Sequence, residues 1–202
     1  MKYIKPLGIG AGVALFVVIT VVLLLGATTQ NTGMTMMNMP GMNMEAMDMS
    51  GELAELEGEA FEVGFMSMMI AHHRGAVEMS EWILERTENP DLQAAAEAII
   101  AAQDPEITKM TGWLKAWYGR GIDETMAEPM EQEMDAMMGA MATGDADTAF
   151  LREMTVHHDS ALDMAQLALT RATHDELRAL ARDIIVAQAK EIYTFQTRLA
   201  QR

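Results

Sequence analysis

The sequence predicts an all-α protein, a four-helix bundle made of two repeated helical hairpins with a transmembrane helix at the N-terminus. Three observations carry that prediction. An ungapped shift of 85 residues superposes the two halves of the folded part. Within each half, apolar residues recur at alternating spacings of three and four. Ahead of both lies a run of 20 uncharged, mostly apolar residues, from Leu7 to Gly26.

The elements follow in chain order. Residues 1–26 read as a membrane anchor: the run is long enough to span a bilayer, and it is longer than a typical cleavable signal and lacks a clear cut site. Lys2 and Lys5 precede it and the next cationic side chain is Arg74, so the positive-inside rule places the rest of the chain outside the membrane, in the periplasm or beyond the cell. Residues 27–59 read as a flexible tether. It carries Met34, Met36, Met37, Met39, Met42, Met44, Met47 and Met49, eight methionines in 16 positions.

The bundle is expected over 60–202. In the repeat, Phe65 falls on Phe150, Met69 on Met154, His72 and His73 on His157 and His158, and Met79 on Met164. Gln103 falls on Gln188, Glu106 on Glu191, and Leu114 on Leu199. The predicted helices are 62–87 and 91–117, broken at Glu88-Asn89-Pro90, then 147–172 and 175–201, broken near Thr173-His174. Between the hairpins, 125–141 is expected to form a linker helix lying across the bundle, with Met126, Met130, Met134, Met137, Met138 and Met141 on one stripe. A methionine stripe of this kind is more often core than cofactor box.

Composition narrows the function. The formal net charge of -16 repels polyanions and excludes nucleic acid as a partner. With no Cys, disulfides, zinc fingers, thiolate catalysis and covalent haem are excluded. The 22 Met are a different resource, because thioether sulfur is a soft ligand that survives in oxidising compartments.

Both first helices carry the string Met-x-x-His-His, as Met69 to His73 and as Met154 to His158. Residues three or four apart share a helix face, so each sulfur can approach an imidazole, and the two donor types suit Cu(I) and Cu(II). A hairpin turning between Asn89 and Pro90 sets His73 opposite Glu106 and Met69 opposite Met110. The second hairpin sets His158 opposite Glu191, with Phe195 where the first has Met110, so its site is poorer in sulfur. The candidate metal ligands are therefore His72, His73, His157, His158, Met69, Met154, Met79, Met164 and Met110. Glu106 and Glu191 are read as hard ligands or as groups orienting the rings, and Gln103 and Gln188 as hydrogen-bonding neighbours. All four histidines are expected to share one neighbourhood, with Met69 and Met154 joining them.

These residues resemble the CopM-like family, catalogued as a domain of unknown function (DUF305), whose hallmark is a Phe, a Met and a paired His followed by Ala and Met on a helix. Phe65, Met69, His72, His73, Ala76 and Met79 match it, as do Gln103, Glu106, Ile107, Met110, Trp113 and Leu114. The resemblance covers roughly 60–201 and implies a ferritin-like four-helix bundle and, for some members, periplasmic copper binding and tolerance.

The expected function is thus extracytoplasmic, membrane-anchored copper binding for sequestration, tolerance or delivery. Cu(I) is favoured, Cu(II) is a second form, and copper-handling proteins are the expected partners. Three alternatives compete. A ferritin-like metal oxidase would make the protein an enzyme, but it calls for Glu-x-x-His motifs, and Met stands three residues before His72 and His157. A haem bundle would need isolated axial ligands rather than four clustered His. A structural bundle would simply pack its histidines.

Overall fold

The protein is described by a computed structural model whose described residues are 49–202; the predicted anchor and most of the tether lie outside them. These residues form an all-α helical bundle of six helices: α1 (Met49–Ala54), α2 (Gly58–Leu84), α3 (Pro90–Tyr118), α4 (Glu124–Met141), α5 (Ala146–Arg171) and α6 (Asp175–Leu199). None is long and apolar enough to cross a membrane.

Local chemistry sets the helix ends. Asn89 accepts a hydrogen bond from the Asp91 N–H with Pro90 in the first helical position, which starts α3 without wasting a donor. Gly119 ends it with a φ of 66°, and its N–H and that of Arg120 return to the carbonyls of Lys115 and Leu114. Asp145 caps α5 through the Thr148 N–H. The start of α6 is capped from another helix. The carboxylate of Glu62, fully buried on α2, accepts from the N–H groups of Thr173 and His174, the hydroxyls of Thr173 and Tyr118, and the His174 ring. Burial by itself would raise the Glu62 pKa, but these bonds outweigh it and hold it at about 2.

The two hairpins, α2–α3 and α5–α6, pack through α2 and α5, which run antiparallel. The core therefore falls into two clusters. One joins the first half of α2 (Phe61 to Ala71) to Met110 and Leu114 of α3, the second half of α5 and the start of α6. The other joins Ala76, Met79 and Ile83 to the start of α3, to Ala149 to Met154 of α5 and to Phe195 of α6. The 85-residue repeat appears as equivalent helices facing one another, with Phe65 and Phe150 fully buried in opposite clusters.

The linker helix α4 packs on α2 and α5. Two glycines of α2 receive it. A Cβ on Gly64 would stand 3.2 Å from Met126 Cε, and one on Gly75 would stand 2.5 Å from Met134 Sδ. Met130, Met134, Met137 and Met141 are buried, so the methionine stripe is core.

Residues 49–56, read from sequence as part of a coreless tether, instead give α1 and two anchors: Leu53 is fully buried and Leu56 lies against the core. Both side chains reach the space beside Gly64. The same shift of 85 takes Leu53 and Leu56 onto Met138 and Met141, and Gly64 onto Ala149, which meet in the other cluster. The repeat thus includes the strap before each hairpin: α4 packs mainly on α2, and α1 mainly on α5.

Candidate metal centre

The paired histidines sit halfway along α2 and α5, where the two apolar clusters meet, and form a polar layer between them. His72, His73, His157 and His158 are buried there together with Gln103 of α3 and Gln188 of α6. Each pair reaches the layer because it lies on the face of a long helix that looks into the core.

One member of each pair meets its counterpart. The rings of His72 and His157 lie with centroids 3.7 Å apart and planes 34° apart. The Nε2–H of His72 donates to the His157 carbonyl at 2.8 Å and approaches Ser160 Oγ at 3.0 Å. The other members face outward helices. His73 Nε2 lies 2.7 Å from Glu106 Oε2 and donates to it. His158 Nε2 lies 2.8 Å from Glu191 Oε2 but off the hydrogen-bonding line, so the second dyad is in contact without the alignment of the first. Phe195 lies beside His158, with ring centroids 6.2 Å apart.

The expected pairings of His73 with Glu106 and of His158 with Glu191 are both present, and Pro105 leaves α3 in register. The four histidines share one layer. The methionines divide: Met69, Met110 and Met164 belong to one cluster, and Met79 and Met154 to the other. Met69 and Met154 flank the imidazoles from opposite sides, because α2 and α5 are antiparallel. The amide oxygens of Gln103 and Gln188 are buried without a hydrogen-bond partner, so those oxygens orient no ring. The tether methionines before Met49 lie outside the described residues.

Sequence reasoning missed Ser160 and Gly75, and placed Met134 on the linker stripe without its approach to Gly75. Ser160 is the repeat partner of Gly75, and the Cβ position of Gly75 lies 3.2 Å from His157 Nε2, so a serine and a glycine occupy equivalent places beside the stacked rings. The mismatch was visible in the aligned halves, but the approach of α4 to it was not.

Burial lowers the pKa of His72 and His157 well below the usual imidazole range, and neighbouring histidines push in the same direction. Burial lowers that of His73 as well, against the opposing pull of Glu106. These rings are neutral, the form that offers a lone pair. In all four, Nδ1 is buried and has no hydrogen-bond partner. An imidazole held through one nitrogen by a carboxylate or carbonyl, with the other nitrogen free, is the arrangement of a metal ligand. Among the described residues no three His, Asp or Glu side chains converge as a ready cage, so the layer offers imidazoles in pairs and the adjoining thioethers are the remaining donors.

The profile of the domain of unknown function DUF305 matches residues 22–85 and 62–199. The solved Cu(II)-bound form of CopM is 33% identical, with a TM-score of 0.63, over 69% of this chain and 96% of that one. Its Cu(I)-bound form is 30% identical, with a TM-score of 0.60 over the same shares. A putative secreted DUF305 protein from Streptomyces coelicolor is 28% identical, with a TM-score of 0.60, over 69% of this chain and 92% of that one. Among curated proteins, the uncharacterized protein L153 of Acanthamoeba polyphaga mimivirus is 40% identical over 50 residues, which is 25% of this chain and a third of that protein. With most of the bundle matched in sequence and in fold, this chain belongs to the DUF305 family.

Proposed function

We propose that the protein binds copper outside the cell membrane through methionine and histidine, in a ferritin-like four-helix bundle carried by an N-terminal transmembrane anchor. The observation that carries the reading is the set of four buried Nδ1 atoms without partners, between two methionine-bearing clusters. A packed structural layer has no use for four orphaned acceptors, each of which costs about 1–3 kcal/mol when left unsatisfied. Imidazole suits Cu(II), and imidazole with thioether suits Cu(I).

CopM, solved with Cu(I), Cu(II) and Ag, supports the choice of metal. His72, His73, His157 and His158 supply nitrogen, and Met69, Met110, Met154, Met79 and Met164 supply sulfur. The tether methionines form a second, purely soft site. Copper held here is sequestered, or passed to copper-handling proteins of the same compartment.

The test is an anaerobic Cu(I) titration of the full chain against a chromophoric competitor, alongside a Cu(II) titration. Retention of both ions supports the proposal. Failure to compete for either ion, with the chain folded, refutes it. Protease digestion of intact cells, shaving the bundle from outside, checks the orientation.

A further inference from the structure

We infer that the four histidines divide their work: His73 and His158 take the metal, while His72 and His157 form a clamp that joins α2 to α5 and positions the other two. The inference rests on the copper-binding reading and splits its ligand set.

The geometry of the inner pair argues against shared ligation. An imidazole lone pair lies in the ring plane, and a metal–nitrogen bond is about 2 Å long. Rings overlapping with centroids 3.7 Å apart hold their lone pairs in separate planes, so one ion cannot lie on both. Two ions, one per ring, would bring two charges together inside the core. The His72 ring is also tied to the opposite helix, through the His157 carbonyl and beside Ser160 Oγ. Turning it toward a metal breaks the bond that holds α2 to α5. Beside the pair stand Gly75 and Ser160, both small.

The outer pair has what the inner pair lacks. His73 is held by a hydrogen bond to Glu106, which fixes the ring, and His158 is in contact with Glu191 at 2.8 Å. The side chains of Glu106 and Glu191 are 20% and 26% exposed, so each dyad links a buried imidazole to solvent. Met69 precedes His73 by one turn, as Met154 precedes His158, which places a thioether next to each seat.

Silver(I), a soft ion that CopM also holds, provides the probe. The full chain, labelled with 15N, is titrated with Ag(I) in chloride-free buffer while the imidazole nitrogens are followed by NMR. Single His→Gln variants supply the assignments. The Nδ1 signals of His73 and His158 are expected to shift, and those of His72 and His157 to keep their metal-free positions. A shift at His72 or His157 matching that at His73 overturns the division. If only methionine methyl signals respond, the division falls while a soft-metal role stands; if nothing in the bundle responds, the copper reading itself falls.

Variants supply a second measurement. His73→Gln with His158→Gln is expected to weaken Cu(II) binding by roughly 100-fold or more with the apo melting temperature nearly unchanged, and His72→Gln with His157→Gln to weaken it about tenfold while lowering that temperature. The reverse order overturns the inference.

Discussion

His72 and His157, 85 positions apart and equivalent in the repeat, have ring centroids 3.7 Å apart, and the His72 ring donates a hydrogen bond to the His157 carbonyl. Two copies of one helix have thus become each other's partner. The polar layer through the bundle follows from the repeat: antiparallel packing brings the midpoint of α2 to the midpoint of α5, and whatever stands there meets its counterpart.

Gly75 is the narrowest point beside that pair. In Gly75→Ala the new methyl would meet Met134 Sδ at 2.5 Å and His157 Nε2 at 3.2 Å. The exchange is expected to destabilise the protein by about 1–3 kcal/mol despite the better helix propensity of alanine. Adding Met134→Ala should recover part of the loss, because the two side chains contend for one space. Urea unfolding of the two single variants and the double variant checks this; additive losses would show that Met134 is not the obstacle.

Glu62 predicts a distinct acid response. Its pKa is about 2 in the folded protein against an ordinary 4.5, so it stabilises the fold fully above the unfolded value. That stability, on the order of 3 kcal/mol, is lost as pH falls from about 4.5 to about 2. In Glu62→Gln this component of the pH dependence is expected to disappear and stability at neutral pH to drop. Thermal melts of both proteins between about pH 2 and pH 7, the range over which carboxylates titrate, decide it. Parallel curves would contradict the assignment.

Much of the fold and part of the site were legible in the sequence because they depend on short-range arithmetic. The turn at Asn89 and Pro90 fixes which residue of α3 lies level with His73, so the Glu106 contact follows from counting. The repeat then yields the Glu191 contact. The unread features depend on how distant elements cross. Glu62 meets residues 111 and 112 positions away, a separation that no periodicity reports. The six residues of α1 are too few for a helical period and sit among methionines and glycines, so Leu53 and Leu56 gave no signal of burial. The split of Met69 from Met154 followed from the antiparallel direction of α5, which hairpin counting leaves open.

The tether and the bundle are expected to bind independently, since the tether offers sulfur alone and the bundle sulfur with imidazole. Deleting residues 33–48 should lower the Cu(I) stoichiometry of the full chain and leave Cu(II) binding intact. Isothermal titration with each ion compares the two chains. Loss of both ions on deletion would mean a single shared site.

The second hairpin has Phe195 where the first has Met110, and that ring lies beside His158. Phe195→Met is expected to tighten Cu(I) binding at the second seat by supplying the missing thioether, with little change for Cu(II). It replaces a fully packed ring, so the apo melting temperature is measured with it. Equal gains for both ions would point to loosened packing instead of new ligation.

The central claim, that the histidine layer holds copper with imidazole and thioether, is tested most directly by X-ray absorption on the Cu(I)-loaded chain lacking residues 33–48, which leaves Met49 alone of the tether methionines. The account predicts a nitrogen shell at about 2.0 Å with the multiple scattering of imidazole, and a sulfur shell at about 2.3 Å. A spectrum of oxygen alone, of sulfur without imidazole, or a bundle that retains no copper would contradict it.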